Sequence, residues 1–272
     1  MLETHGHGAV AMPNDLGRCW RIFGTGLSFA LFGAGGLLLR IFVFPVINLL
    51  VRDRKKCIRV SRQVIRVSFF FFIWIMSSLR VLRYSVSGIE RLDRNGLLIV
   101  ANHPTLIDTI FLIAFTRHAD CIVKSELWRN PFTRGPIHAA SYINNEDSNA
   151  LIDNCIASLE GGSNLIIFPE GTRTSDDGVI RLKRGAANIA VRGRRNITPV
   201  IINCSPPTLG KNTKWWQVPK HWAHFQIEVK EDIDVTAFVE KSTTETLAVR
   251  RLTNHMENYF NQEHRRENHG FA

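Results

Sequence analysis

Leu97-Leu98-Ile99-Val100-Ala101-Asn102-His103-Pro104-Thr105-Leu106-Ile107-Asp108 reads as strand, turn and helix in immediate succession. The apolar run after Gly96 is too short for an ordinary helix and aliphatic enough for a buried strand. Pro104 pushes the residue before it out of the α region and itself fits a first helical position. A helix is therefore expected to begin near Pro104, with His103 at its mouth. In one regular helix, positions five apart are rotated by about 140°, which would keep His103 and Asp108 from meeting. A proline turn removes that obstacle. Asp108, just over one turn inside, then reaches one imidazole nitrogen and leaves the other free to take a proton: a base with its orienter.

Outward from this stretch, strands alternate with helices. Residues 84–89 read as a strand before the turn-forming 93–96. The helix from 104 to about 116 is followed by strands near 121–123 and 142–143. Residues 150–159 read as a helix ended by Gly161-Gly162, and 165–168 as a short strand that breaks at Pro169. An Ala-rich helix through Val191, strands at 197–203 and 225–229, and an amphipathic helix from 243 to about 264 complete the pattern. With no internal repeat, this predicts an α/β domain over residues 84–272, a central, mostly parallel sheet flanked by helices. Strand order is not legible in it.

Residues 1–83 differ in character. The leading polar segment through Asp15 lacks the layout of a cleavable signal peptide. Residues 22–39 carry no charge, and a second apolar block, 67–79, holds Phe69, Phe70, Phe71, Phe72, Ile73, Trp74, Ile75 and Met76. Between them Arg52, Arg54, Lys55, Lys56, Arg59, Arg62 and Arg66 suit anionic headgroups, each contributing about 1 kcal/mol near such a surface. The expectation is an N-terminal membrane-docking helical hairpin. The competing reading is a pair of core helices in a soluble protein. The bracketing of the apolar blocks by Arg18, Arg21, Arg80 and Arg83 favours the interface, and whether residues 22–51 cross the bilayer or only enter it stays open.

The 272 residues carry a formal net charge of +10, which points to an anionic partner: nucleic acid, a phospholipid surface, or a phosphorylated or CoA-like substrate. Nucleic acid is disfavoured because the aromatics of the apolar block stand apart from the basic residues. Five cysteines without a CxxC pair indicate neither a disulfide framework nor a zinc site, and no Gly-x-Ser-x-Gly elbow argues for an acyl-enzyme.

A second strand-end motif, Phe168-Pro169-Glu170-Gly171-Thr172-Arg173-Thr174, stands downstream of Asn102-His103-Pro104-Thr105-Leu106-Ile107-Asp108. Together the two resemble the NHxxxxD and FPEGTRS-type motifs of the lysophospholipid acyltransferase family, whose best-known members are the 1-acylglycerol-3-phosphate acyltransferases. Residues 123–127 and 197–200 resemble two further family blocks, so the likeness covers roughly residues 86–204. The resemblance implies transfer of an acyl chain from acyl-CoA or acyl carrier protein to the hydroxyl of a lysophospholipid. The most direct acceptor is 1-acyl-sn-glycerol-3-phosphate, in phospholipid biosynthesis. It implies no metal or redox cofactor and a membrane location with the catalytic domain on the cytoplasmic face, the inner membrane if bacterial.

Residue by residue, the likeness makes His103 the general base and Asp108 its partner, and gives acceptor binding to Glu170, Gly171, Thr172 and Arg173. Gly171 allows close backbone approach and Arg173 offers a planar fork for phosphate oxygens. Lys183 and Arg184 either add to that positive field or form a solvated basic helix start. One block departs. Where relatives acting on glycerol phosphate carry Gly-x-x-Phe-Ile-x-Arg, this chain reads Ala140-Ser141-Tyr142-Ile143-Asn144-Asn145-Glu146, without the arginine. A non-glycerol acceptor on the same fold stays open, as does a non-catalytic basic protein that binds membrane or nucleic acid.

Overall fold

The computed structural model describes residues 14–145, 150–175 and 177–269. The leading segment up to residue 13 and Glu146, both read from sequence above, lie outside the described residues.

Short aliphatic runs form the sheet. Strands β1 (Leu82–Ser87), β2 (Leu98–Ala101), β3 (Ala119–Val123), β4 (Ile143–Asn144), β5 (Asn164–Ile167), β6 (Ile197–Ser205) and β7 (Ala223–Val229) lie in the order β1-β7-β6-β2-β5-β3-β4. Every pairing is parallel except β6 with β7. Both faces of the centre are covered, which is why β2 and β5 are apolar without alternation. Leu98 and Val100 enter one core and Ile99 and Ala101 the other.

Helices α1 (Asn14–Leu38) and α2 (Phe44–Leu50) are joined through a π-helical turn, Leu39–Val43, and α3 (Arg54–Ser78) runs back, its first turn capped by Asp53, which accepts from Lys56 N at 2.8 Å. After β2 comes α4 (Asp108–Phe115); then α5 (Ser125–Arg129), α6 (Arg134–Ala140), α7 (Leu151–Glu160), α8 (Gly185–Gly193), α9 (Thr236–Glu240) and α10 (Glu245–His269). One core unites α3, α4 and α6 with the sheet; the other unites α7, α8 and α10 with its opposite face. Helix α10 also reaches the segment before α8. Glu257 accepts from Leu182 N at 2.8 Å, and the Asn261 amide exchanges two hydrogen bonds with the Ile180 backbone.

Leu16–Leu50 and Arg54–Ser78 are each long and apolar enough to cross a membrane. The core-helix reading holds for one face of α3, and the other face is left apolar and exposed. Ile65, Phe72, Ile73 and Met76 are buried in the domain core, whereas Val67, Phe70, Phe71 and Trp74 are exposed. The basic bridge divides in the same way. Arg52, Arg54, Lys55, Lys56 and Arg59 are exposed, but Arg62 and Arg66, expected at headgroups, turn inward. Arg62 is buried, pairing with Asp120 at 2.7 Å and donating to Ala140 O and Ser163 Oγ, each at 2.9 Å. Arg66 donates to Ala114 O at 3.2 Å. Four residues apart, the two arginines share the helix face that packs on the domain.

Candidate active site

Because β2, β5 and β6 are parallel, the loops leaving their C-terminal ends open at one edge of the sheet, the usual place for ligands in α/β folds. The antiparallel β7 begins at that edge. His103 follows β2 and residues 168–174 follow β5, so neighbouring strands deliver the two motifs to one spot.

Asn102 ends β2 by clamping it to β6: its amide donates to Ile202 O and accepts from Ile202 N, both at 2.8 Å. His103 Nδ1 lies 2.8 Å from Asp108 Oδ2. The helix expected from Pro104 begins instead at Asp108. The intervening N–H groups have other partners, since Thr105 N donates to Asp108 Oδ2 at 2.6 Å and Leu106 N to Leu209 O at 3.0 Å. That displacement folds the carboxylate back toward the imidazole. Thr105 Oγ1 donates to the second carboxylate oxygen. An ionised Asp108 only accepts, which assigns the shared hydrogen to Nδ1 and, in the neutral ring, the lone pair to Nε2.

Asp108 is fully buried. Burial pushes its carboxyl above the ordinary range, and the hydrogen bonds from His103 and Thr105 pull it back toward the anion. Phe168 stacks on the His103 ring, with centroids 4.3 Å apart. Cys204 sits close enough to feel the Asp108 charge, and burial pushes its thiol up to about 12, so it stays protonated at neutral pH and offers no rival nucleophile.

The second motif wraps the first. Glu170 Oε1 accepts from His103 N at 2.8 Å and from Thr174 Oγ1 at 2.9 Å, and Thr174 N donates to His103 O at 2.7 Å. Glu170 thus holds the histidine's backbone, and burial raises its carboxyl above the ordinary range. Gly171 turns at φ +69°, where a side chain would meet Lys183 Nζ at 2.8 Å, so the lysine lies over the glycine. Arg173 reaches the same corner but gives Nη1 to the carbonyls of Leu209 and Gly210, at 3.0 and 2.6 Å. Thr172 is exposed in the loop. Arg184 stands exposed before α8, and no side-chain hydrogen bond or ion pair ties it to the motif loops among the described residues. The structure therefore gathers His103, Asp108, Glu170, Gly171, Arg173 and Lys183, and leaves Arg184 aside.

Sequence reasoning missed Thr105, Asn102 and Phe168 as supports of the histidine. Thr105-x-x-Asp108 has the spacing of a helix-start box, a signal that was there to be read.

A cavity of about 470 Å³, lined by Phe32, Phe69, Thr109, Ile110, Ile113 and Tyr142 among others, is almost wholly apolar; it shares α4 with the site.

The Acyltransferase family model matches residues 83–203. A 1-acyl-sn-glycerol-3-phosphate acyltransferase of Pseudomonas aeruginosa is 27% identical over 142 residues, 49% of this chain and 54% of that one. One of Helicobacter pylori is 31% identical over 131 residues, 44% of this chain and 55% of that one. The chain thus spans about half the length of the curated relatives it matches. The solved structure of the 1-acyl-sn-glycerophosphate (LPA) acyltransferase PlsC from Thermotoga maritima superposes with a TM-score of 0.69 at 20% identity, over 94% of this chain and 98% of that one, and shows a shared fold. Residues 83–203, which carry both motifs to one sheet edge, are thus similar to the Acyltransferase family model, and the chain as a whole shares the fold of the Thermotoga maritima protein.

Proposed function

We propose that this protein moves a fatty acyl chain from an acyl-CoA or acyl carrier protein thioester to the free hydroxyl of a lysophospholipid, 1-acyl-sn-glycerol-3-phosphate first among them. The observation that carries the reading is His103 Nδ1 held 2.8 Å from a fully buried Asp108, with the histidine's backbone bound to Glu170 and Thr174 of the second motif. Nε2 takes the acceptor's hydroxyl proton as that oxygen bonds to the thioester carbonyl carbon. The carbon–sulfur bond then breaks, and the proton passes from Nε2 to the departing thiolate. Asp108 stabilises the imidazolium in between. These side chains and the thioester suffice for the step; no metal or redox cofactor is assigned to it.

Lys183 over Gly171, and the Arg173 nitrogens not given to Leu209 and Gly210, supply positive charge for the acceptor's phosphate. The apolar cavity, whose lining includes Thr109 next to Asp108, has a volume within the range of ligand sites and suits an acyl chain. The exposed apolar face of the N-terminal helices fits a membrane location, for which we propose the cytoplasmic side.

One observation favours a second acceptor. The missing arginine is replaced by Asn145 or Glu146, neither of them a cation, and Asn145 Oδ1 accepts from Ser125 N at 3.2 Å, which suits a lysolipid without a phosphate monoester. The test is acyl transfer in membranes with a panel of lysolipids and both donor types. His103→Ala is expected to lose roughly 10²- to 10⁴-fold in rate while staying folded. Full activity in that variant refutes the mechanism.

A further inference from the structure

Residues 206–222, Pro-Pro-Thr-Leu-Gly-Lys-Asn-Thr-Lys-Trp-Trp-Gln-Val-Pro-Lys-His-Trp, lie beyond the stretch matched by the family model and join β6 to β7 at the site's edge of the sheet. They hold three of the six tryptophans and three lysines, and no acid. Residues 211–217 are all exposed, Trp215 and Trp216 at 44% and 45%. Unassisted exposure of two large rings in water is costly, and Trp interleaved with Lys is the composition of a bilayer's headgroup layer. We infer that this segment is a second membrane contact, seating its tryptophans at the acyl–headgroup boundary and its lysines on anionic phosphates.

Three contacts support a bilayer over another partner. Trp215 lies against Gly26 of α1, where an added side-chain carbon would come within 3.1 Å of its ring, so the segment continues the apolar surface of the N-terminal helices. Arg21 of α1 donates to the carbonyls of Pro219 and Lys220, fastening the segment to that helix. At its other end, Leu209 and Gly210 hold Arg173, and Leu209 O also accepts from Leu106 N, whose side chain is half exposed beside His103. The contact therefore sets the site's opening at the depth of lipid headgroups, where an acceptor's hydroxyl arrives by lateral diffusion.

The full chain reconstituted in phosphatidylcholine vesicles with and without phosphatidylglycerol tests this. Lipids brominated near the glycerol should quench a tryptophan component that disappears in Trp215→Phe/Trp216→Phe. Lys211→Gln/Lys214→Gln/Lys220→Gln should raise KM for bilayer-borne acceptor by roughly tenfold in anionic vesicles, with kcat/KM on detergent-dispersed acceptor unchanged. If the component belonging to these two tryptophans is reached by aqueous iodide and not by brominated lipid, the inference is overturned. It is overturned too if the lysine variant loses equally in detergent, or if these lysines instead retard a single-stranded oligonucleotide at physiological salt. The kinetic arm rests on the acyl-transfer reading; should the unaltered protein transfer no acyl group, that reading falls and the quenching still decides the membrane contact.

Discussion

A single imidazole becomes useful here because every neighbour limits what it can do. Phe168 fixes the ring plane, Asp108 takes one nitrogen, and Glu170 takes the backbone N–H of the same residue. Glu170 makes a test that is independent of activity. Its carboxyl is raised above the ordinary 4.5 because burial disfavours its charge, so the folded chain binds that proton more tightly than the unfolded one. Its contribution to stability is fully present below pH 4.5 and is lost as pH rises through the folded value. Glu170→Gln keeps an acceptor for His103 N without a charge. The variant should gain in thermal midpoint relative to wild type as pH rises above 4.5, in detergent melts across pH 4 to 8. A difference that does not change with pH would contradict the assignment. At this scale the sequence was highly legible: the His103–Asp108 pair followed from one proline and a spacing of five. What could not be read was Arg173's diversion to Leu209 and Gly210, because those carbonyls come from a segment thirty-odd residues downstream that only the fold brings near.

Among the elements, α3 shows best how local pattern and tertiary demand compete. Its apolar and basic residues predicted a membrane face, yet the helix also packs on α4 and α6, and Arg62 is drawn into the domain by Asp120. Nothing in the sequence separates Arg62 from Arg59, because both sit in one basic run; only a buried carboxylate from β3 does. Asp120 also accepts from Ser158 Oγ at 2.6 Å, so the ion pair is part of a satisfied network. Removing one partner strands the other. Arg62→Met should destabilise the protein by about 3 to 5 kcal/mol, and Arg62→Met/Asp120→Leu should recover much of that loss, read from thermal melts of both variants in one detergent. The start of α4 makes the same point. Pro104 suits a first helical turn, but Leu209 O and the Asp108 carboxylate claim the N–H groups that a helix from Pro104 would present.

For the molecule as a whole, alternation of strand and helix predicted a mostly parallel sheet covered on both faces, and the solved relative of 0.69 TM-score shares that fold. Strand order, and the reversal that runs β7 against β6, depend on long-range pairing that a linear pattern does not encode. Helix α10 supplies Glu257 and Asn261 to Leu182 and Ile180, the neighbours that carry Lys183 to Gly171. Ending the chain after Met256 would orphan those backbone groups at about 1 to 3 kcal/mol each, and acyl transfer per mole of membrane-inserted protein should fall at least tenfold. The corner that carries Lys183 therefore cannot take its shape from its own neighbours: it waits on a contact 75 residues farther along the chain.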